Sequence, residues 1–260
     1  MPTLFDSKLW KSLIAAGTMA YKAGDFAQAA RDYQRAIDLS TREKMEGTFL
    51  AEPLIRLAIC LSARKDYAEA ERLLRRALAI IESEAEHDLA LLAYNYHELS
   101  VLLWKTERSA ESQQMNDLAL GTLDLHEEEL AELRVLILKH RAILLADTHR
   151  HEEASKLLDS AADIALRSSE FGKNSLLYGQ VLITKALLSM DSQKFDQALD
   201  LYQEAMPIVE MCWGPHHPKV ADLYGIFANH AKSAGKAQAA DFFQTKSHDL
   251  REWIKHSYGW

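Results

Sequence analysis

The chain has little of what stops a helix. Among 260 residues there are five prolines and ten glycines. These two residues are the most unfavourable in a helix interior, so their scarcity suits an all-helical chain. Cysteine is scarcer still. Cys60 and Cys212 lie far apart on helical stretches and form no CxxC pair. Two reduced, buried thiols of an intracellular protein are expected. No uninterrupted apolar run approaches the ~18 residues that span a membrane. The opening MPTLFDSKLW lacks a basic region followed by an apolar run, so no secretory leader is expected. The formal charge of −8 argues against general affinity for nucleic-acid phosphates. Residues 219–260 are net +2 and the remainder −10, too mild an asymmetry for a basic arm. There is no glycine-rich phosphate loop, no nucleophile elbow and no Cys–His pair at a recognisable spacing. The reading is therefore a soluble, cytoplasmic protein that is not an enzyme. No cofactor is expected, and neither nucleic acid nor membrane as a partner.

What is present is a repeat. In Lys194–Ala221 the residues Phe195, Ala198, Tyr202 and Ala205 are spaced three, four and three, one stripe of a helix. The same stripe runs through Phe26, Ala29, Tyr33 and Ala36, and through Tyr67, Ala70, Leu74 and Ala77. It continues through Ser109, Ser112, Asn116 and Ala119, then His151, Ala154, Leu158 and Ala161, and weakly through Ala237, Ala240, Gln244 and Ser247. The anchors 29, 70, 112, 154, 198 and 240 are separated by 41, 42, 42, 44 and 42 residues. A fixed period in this range is the mark of a solenoid. About thirteen residues before each anchor stands a second stripe: Ala16-Gly17, Leu57-Ala58, Leu99-Ser100, Arg141-Ala142, Lys185-Ala186 and Phe227-Ala228. Each unit is thus a first helix, a turn and a second helix. Gly24 and Gly235 suit turns needing positive φ, and Asp25 and Asp66 suit the start of the next helix.

The fold expected is all-α, a right-handed α-solenoid of about six helix-turn-helix hairpins in a single domain over 1–260. The repeats fall at about 10–43, 51–86, 92–126, 130–170, 176–213 and 219–248, with a capping helix and tail over 249–260. In the first helix, Trp10, Leu13, Ala16 and Ala20 are expected to face the next one. Pro53 suits the first turn of a helix. HEEE at 126–129 suits a helix start. SEFGKNS at 169–175 is the clearest break and the place for a hinge. Leu250, Trp253 and Ile254 extend the last stripe and should cap the stack.

Two histidine groups raise the question of metal. His149 and His151 precede Glu152 and Glu153, but HExxH would need histidine where Ser155 stands, and the stretch reads as a turn. His216-His217 before Pro218 reads as a helix N-terminal cap. No metal site is assigned.

The small residues of the first helix, the aromatic near the turn and the Ala-bulky-Ala stripe of the second together resemble the tetratricopeptide repeat family. The long period and Gly214-Pro215-His216-His217-Pro218-Lys219-Val220-Ala221 resemble its kinesin-light-chain variety, with His87-Asp88-Leu89-Ala90 a fainter echo. The likeness covers about 13–256. It implies a protein-interaction scaffold that holds a peptide or helix in a concave groove lined by the first helices. Carried over by position, the candidate peptide-binding residues are Tyr21, Arg56, Tyr94, His97, Trp104, Lys105, Lys139, His140, Asn229 and Lys232. Such repeats usually place asparagines on this wall; here Asn229 stands alone and the centre holds aromatics and cations. An acidic or aromatic-containing partner segment is therefore expected. The alternative is a regulatory receptor for a short signalling peptide. An enzyme or metal-binding protein on helical repeats ranks lower. Self-association through the tail Tyr258-Gly259-Trp260 is a further expectation.

Overall fold

The computed structural model describes residues 4–86, 88–123, 130–167 and 172–258. Among them are twelve α-helices: α1 Leu4–Lys22, α2 Phe26–Arg42, α3 Thr48–Ala63, α4 Tyr67–Glu82, α5 Leu89–Lys105, α6 Ser109–Leu123, α7 Ala131–Asp147, α8 His151–Arg167, α9 Leu176–Asp191, α10 Phe195–Trp213, α11 Pro218–Ser233 and α12 Ala237–Tyr258. They form six consecutive helix-turn-helix hairpins, an all-α helical-repeat solenoid. The helices gather into two compact units, the first ending at His140 and the second beginning at Arg141, within α7. His87, the acidic run 126–129, the first part of the expected hinge and Gly259-Trp260 lie outside the described residues.

All six hairpins turn in the same way. The N–H groups of Asp25, Asp66, Arg108, Arg150, Lys194 and Lys236 donate to the carbonyls of Ala20, Leu61, Leu103, Leu145, Ser189 and Ala231 at 2.8–2.9 Å. The residue before each donor has positive φ: Gly24, Lys65, Glu107, His149, Gln193 and Gly235. This is the six-to-one Schellman closure, which satisfies the last carbonyls of the first helix. Glycine supplies the left-handed residue in two turns, and in four an ordinary side chain accepts that strain. The second helix then starts at once. Asp25 caps α2 by accepting from the N–H of Gln28 at 2.8 Å. Asp66, expected to do the same, makes no side-chain cap bond.

Inside each hairpin the small anchors are buried: Ala29, Ala70, Ser112, Ala154, Ala198 and Ala240. Of the paired positions in the first helices the second member is buried each time, from Gly17 to Ala228. Trp10 and Leu13 face inward as expected, but Ala16 is exposed and Gly17 takes its place. The reason is on α2. A Cβ on Gly17 would come within 2.6 Å of the Tyr33 ring. That ring is buried, with its hydroxyl 3.2 Å from Thr18 Oγ1. Gly→Ala in a helix usually stabilises by about 1 kcal/mol. Here Gly17→Ala is expected to destabilise by about 1–3 kcal/mol through overpacking. A melting temperature at or above the parent's would show that the ring can retreat.

Pro53 departs from expectation. Helix α3 begins at Thr48, so the proline lies beyond the first turn. Having no N–H, it leaves the carbonyl of Phe49 without its helical donor. Two donors from other helices replace it: the indole N–H of Trp10 at 2.9 Å and the hydroxyl of Ser40 at 2.8 Å. The defect in α3 thus ties α1 and α2 to it. Trp10 also meets Phe49 edge-on at 5.2 Å between ring centroids.

The second unit has an aromatic centre. Tyr202 of α10 packs against Phe227 of α11 at 3.8 Å between centroids and Phe243 of α12 at 5.0 Å. His217 caps α11 as expected, its Nδ1 accepting from the N–H of Lys219 at 3.1 Å. Cys60 is buried, but Cys212 is exposed, contrary to expectation. The expected cap continues the last helix past Ser247: α12 runs unbroken from Ala237 to Tyr258. Ile254 is buried, Leu250 half-buried, and Trp253 stacks on His216 at 4.1 Å. Truncation after Ser247 is expected to lower stability, by roughly 1.5–3 kcal/mol for Ile254 alone. An unchanged melting temperature would show that the segment contributes nothing.

Candidate protein-binding face

In the first unit the first helices of successive hairpins line up. Helix α3 lies against α5, and Lys105 Nζ donates to Ser62 Oγ at 3.1 Å. Helix α5 meets α7 through rings, with His97 at 5.8 Å and Trp104 at 6.1 Å from His140, both edge-on. The row α1, α3, α5, α7 carries eight of the ten candidates: Tyr21, Arg56, Tyr94, His97, Trp104, Lys105, Lys139 and His140.

Tyr21, Arg56, Tyr94, Trp104 and Lys139 are half-buried and Lys105 is exposed. Arg56 donates through Nε to Glu52 Oε1 at 2.8 Å, one helical turn back. Burial opposes its charge, but the Glu52 carboxylate more than offsets this and holds the guanidinium firmly protonated. Burial drives the Tyr94 hydroxyl well up, and the charge of Glu98 adds to this, against a smaller opposing effect of Arg56. Tyr33 reaches the same cluster from α2 through Thr18 and Arg56. The periodicity places Tyr33 in the core but gives no hint of this polar end. A glycine on the facing helix, where the ring needs room, was the available signal.

His97 and His140 are corrections to the expected wall. They are only 5% and 3% exposed. His97 stands two residues before its small pair, and Ile14, Ile55 and Ile183 in the same place are buried too. In four of the six repeats that position is buried, while Lys139 and Gly225 in the same place are half-buried. His140 stands one residue before its pair and is covered by α5 and α6. Its Nε2 lies 3.5 Å from Ser112 Oγ. Ser112 Oγ donates to the Ser100 carbonyl at 2.8 Å, and Ser100 Oγ returns a bond to the Ser112 carbonyl at 2.7 Å. Asn116 Nδ2 donates to the Ile137 carbonyl at 3.3 Å. The third repeat therefore lacks its aromatics because a buried polar seam replaces them. The seam leaves His97 Nδ1 and Asn116 Oδ1 buried without a hydrogen bond. Burial pushes His140 down to about 4; a bond to the Ser100 carbonyl works against this, and Lys139 and Lys105 add to it. His97 lies well below the usual histidine range, through burial first, then His140 and Lys139. Both rings are neutral at pH 7.

Asn229 and Lys232 belong to the second unit, where both are exposed on α11. In the α7–α8 turn His149 and His151 lie 6.0 Å apart. Among the described residues no three His, Cys, Asp or Glu side chains converge on a point where a metal would sit.

Comparison with known proteins agrees with this architecture. Residues 49–123 match the tetratricopeptide repeat family. No curated protein matches the chain in sequence. Among solved structures, BtubC (BKLC) from P. vanneervenii is 21% identical, with a TM-score of 0.62 over 90% of this chain and 91% of that one. A Rap protein complexed with Competence and Sporulation Factor is 12% identical, with a TM-score of 0.78 over 98% of this chain and 66% of that one. PilF from Pseudomonas aeruginosa is 14% identical, with a TM-score of 0.53 over 98% of this chain and 94% of that one. Residues 49–123 thus match tetratricopeptide repeats, and six hairpins closed by one kind of turn carry the same helix-turn-helix architecture through the described residues.

Proposed function

We propose that this protein is a non-enzymatic scaffold that holds a peptide or helix of a partner protein on the first-helix row of its first unit. The carrying observation is the run of half-exposed aromatic and cationic side chains there: Tyr21, Arg56, Tyr94, Trp104, Lys105 and Lys139. Aromatic and arginine anchors in partly desolvated positions dominate binding energy, and the lysines favour an acidic or aromatic-containing segment. No helix among the described residues is long and apolar enough to cross a membrane, and we place the scaffold in the cytoplasm. Asn229 and Lys232, on the second unit, are not part of this row.

The test is an affinity pull-down followed by titration of the recovered partner against Trp104→Ala/Lys139→Glu. Binding is expected to weaken by at least about 2 kcal/mol, roughly thirtyfold. Helix content by circular dichroism should hold. Trp104 also leans on His140, so Lys139→Glu with Lys105→Glu serves as a second variant that leaves the ring in place. Undiminished binding to both folded variants would reject the row as the site. Recovery of the chain by itself would favour self-association through its tail.

A regulatory receptor for a short signalling peptide is the second reading. The likeness to the Rap structure, determined with Competence and Sporulation Factor bound, favours it. Compaction on ligand addition, measured by small-angle scattering, would support this reading over a static scaffold.

A further inference from the structure

Directly beneath the proposed binding row lies a pair of groups that the row itself does not use. His97 and His140 are buried edge to face at 5.8 Å. The Trp104 ring, one of the row's aromatic anchors, is 6.1 Å from His140. His97 Nδ1 has no hydrogen bond although it is buried, so one nitrogen of the pair is open to a change of state. The charges acting on the rings come from two elements: Lys105 on α5 and Lys139 on α7. Helix α6 presents the uncharged Ser112 hydroxyl. Glu98, the chain neighbour of His97, acts on Tyr94. The rings therefore sit buried at the polar seam, with Lys139 next to His140 in the chain and Lys105 next to Trp104, and burial and the two ammonium groups both oppose a further positive charge.

We propose that this buried histidine pair couples partner binding to pH: an acidic segment lying across Lys105 and Lys139 draws a proton into the pair. This rests on the row being the binding face. The physics is linkage. The lysines repel a proton from the imidazoles. A carboxylate placed on them cancels that field, so the bound state takes up a proton that the free state refuses. By reciprocity the same acidic segment binds more tightly as the pH falls. One proton taken up gives at most about a tenfold change in affinity per pH unit, between the two states' titration points. The direction is diagnostic. Protonation of the ligand's own carboxylates would weaken binding on acidification.

The row's charge can be altered without any ligand, and that decides the matter. The Cε1–H signals of the imidazoles are followed by NMR through a pH titration of the full chain, with His97→Gln and His140→Gln providing assignment. Lys139→Glu and, separately, Lys105→Glu are expected to raise the titration of His140 by about one pH unit. Lys139→Gln should produce a smaller rise. If neither glutamate variant moves either histidine, the coupling is absent and the proposal falls. A second arm uses a short synthetic peptide of Glu and Asp flanking one Trp, titrated at pH 6, 5 and about 4.5, because His140 of the free pair titrates at about 4 and that of the bound pair about one unit higher. Tighter binding at lower pH, abolished by the two His→Gln changes together, supports the coupling. Binding that lowers with pH alike in parent and variant overturns it. If the peptide does not bind at any pH, the acidic-ligand chemistry of the row fails, and the NMR arm still decides the coupling.

Discussion

Tyr202→Ala is expected to destabilise the protein by about 3–5 kcal/mol, the range for deleting a buried aromatic ring. The ring is 3% exposed. Besides Phe227 and Phe243 it meets Tyr224 edge-on at 6.3 Å, so rings on two other helices, α11 and α12, lose a shared partner. Small residues flank it at Ala198 and Ala205, both fully buried. They cannot swing in to fill the void, so little of the cavity collapses. The contrasting variant is Tyr202→Phe. The hydroxyl is buried with no hydrogen bond, and burial pushes its ionisation far up. Removing an unpaired polar atom should leave stability unchanged or raise it by about 1 kcal/mol. Urea unfolding of the two variants beside the parent measures both effects. If Phe loses more than about 1 kcal/mol, the hydroxyl has a partner after all. If Ala loses less than about 1.5 kcal/mol, the aromatic cluster repacks around the gap.

Acidification from pH 7 to 4 is expected to remove roughly 3 kcal/mol through His140 alone. The sign follows from linkage. The ring's folded value is about 4 against 6.5 unfolded. Between those values the unfolded chain binds the proton and the folded one does not, so stability falls as the pH falls. The contribution is fully present above 6.5, and the loss is complete below 4. His97 shifts in the same direction and adds to the slope. Carboxylates held low by arginine, such as Glu71 beside Arg108, lose their pairs at still lower pH. The control is therefore His140→Gln, which keeps a polar side chain at the seam but cannot titrate. Urea midpoints for parent and variant at pH 7, 6, 5 and 4 should converge as the pH falls. Parallel curves would mean that His140 is not the group responsible.

The repeat was legible because close helix packing demands small residues at fixed intervals, and that demand is written in Ala29, Ala70, Ala154 and Ala198 themselves. Even the divergent third repeat kept its period, since Ser112 and Asn116 occupy the buried anchor positions as alanine and aromatic do elsewhere. The common turn was legible only where glycine or aspartate marked it. At Glu107, His149 and Gln193 the left-handed residue carries an ordinary side chain, and only the backbone reveals the shared closure.

The direction of each first-helix side chain was legible only to within one residue, which is not enough. Consecutive helix positions differ by about 100° in direction, so His97 and His140 fell on the buried side while Lys105, next to Trp104, remained exposed. Which face a first helix buries depends on where the neighbouring hairpin lies, and no local pattern carries that. Pro53 teaches the same lesson. Its missing N–H is a property of the residue, but the donors that answer the Phe49 carbonyl come from Trp10 and Ser40, 39 and 9 residues away in sequence. The chain by itself determined that it is helical, that its hairpins recur near every 42 residues, and which side chains lie inside each hairpin, because all of these follow from periodicity within a single helix. Tertiary structure decided which charged and aromatic groups reach the surface between hairpins, and that two histidines lie beneath them, because those outcomes depend on packing between helices far apart in the sequence.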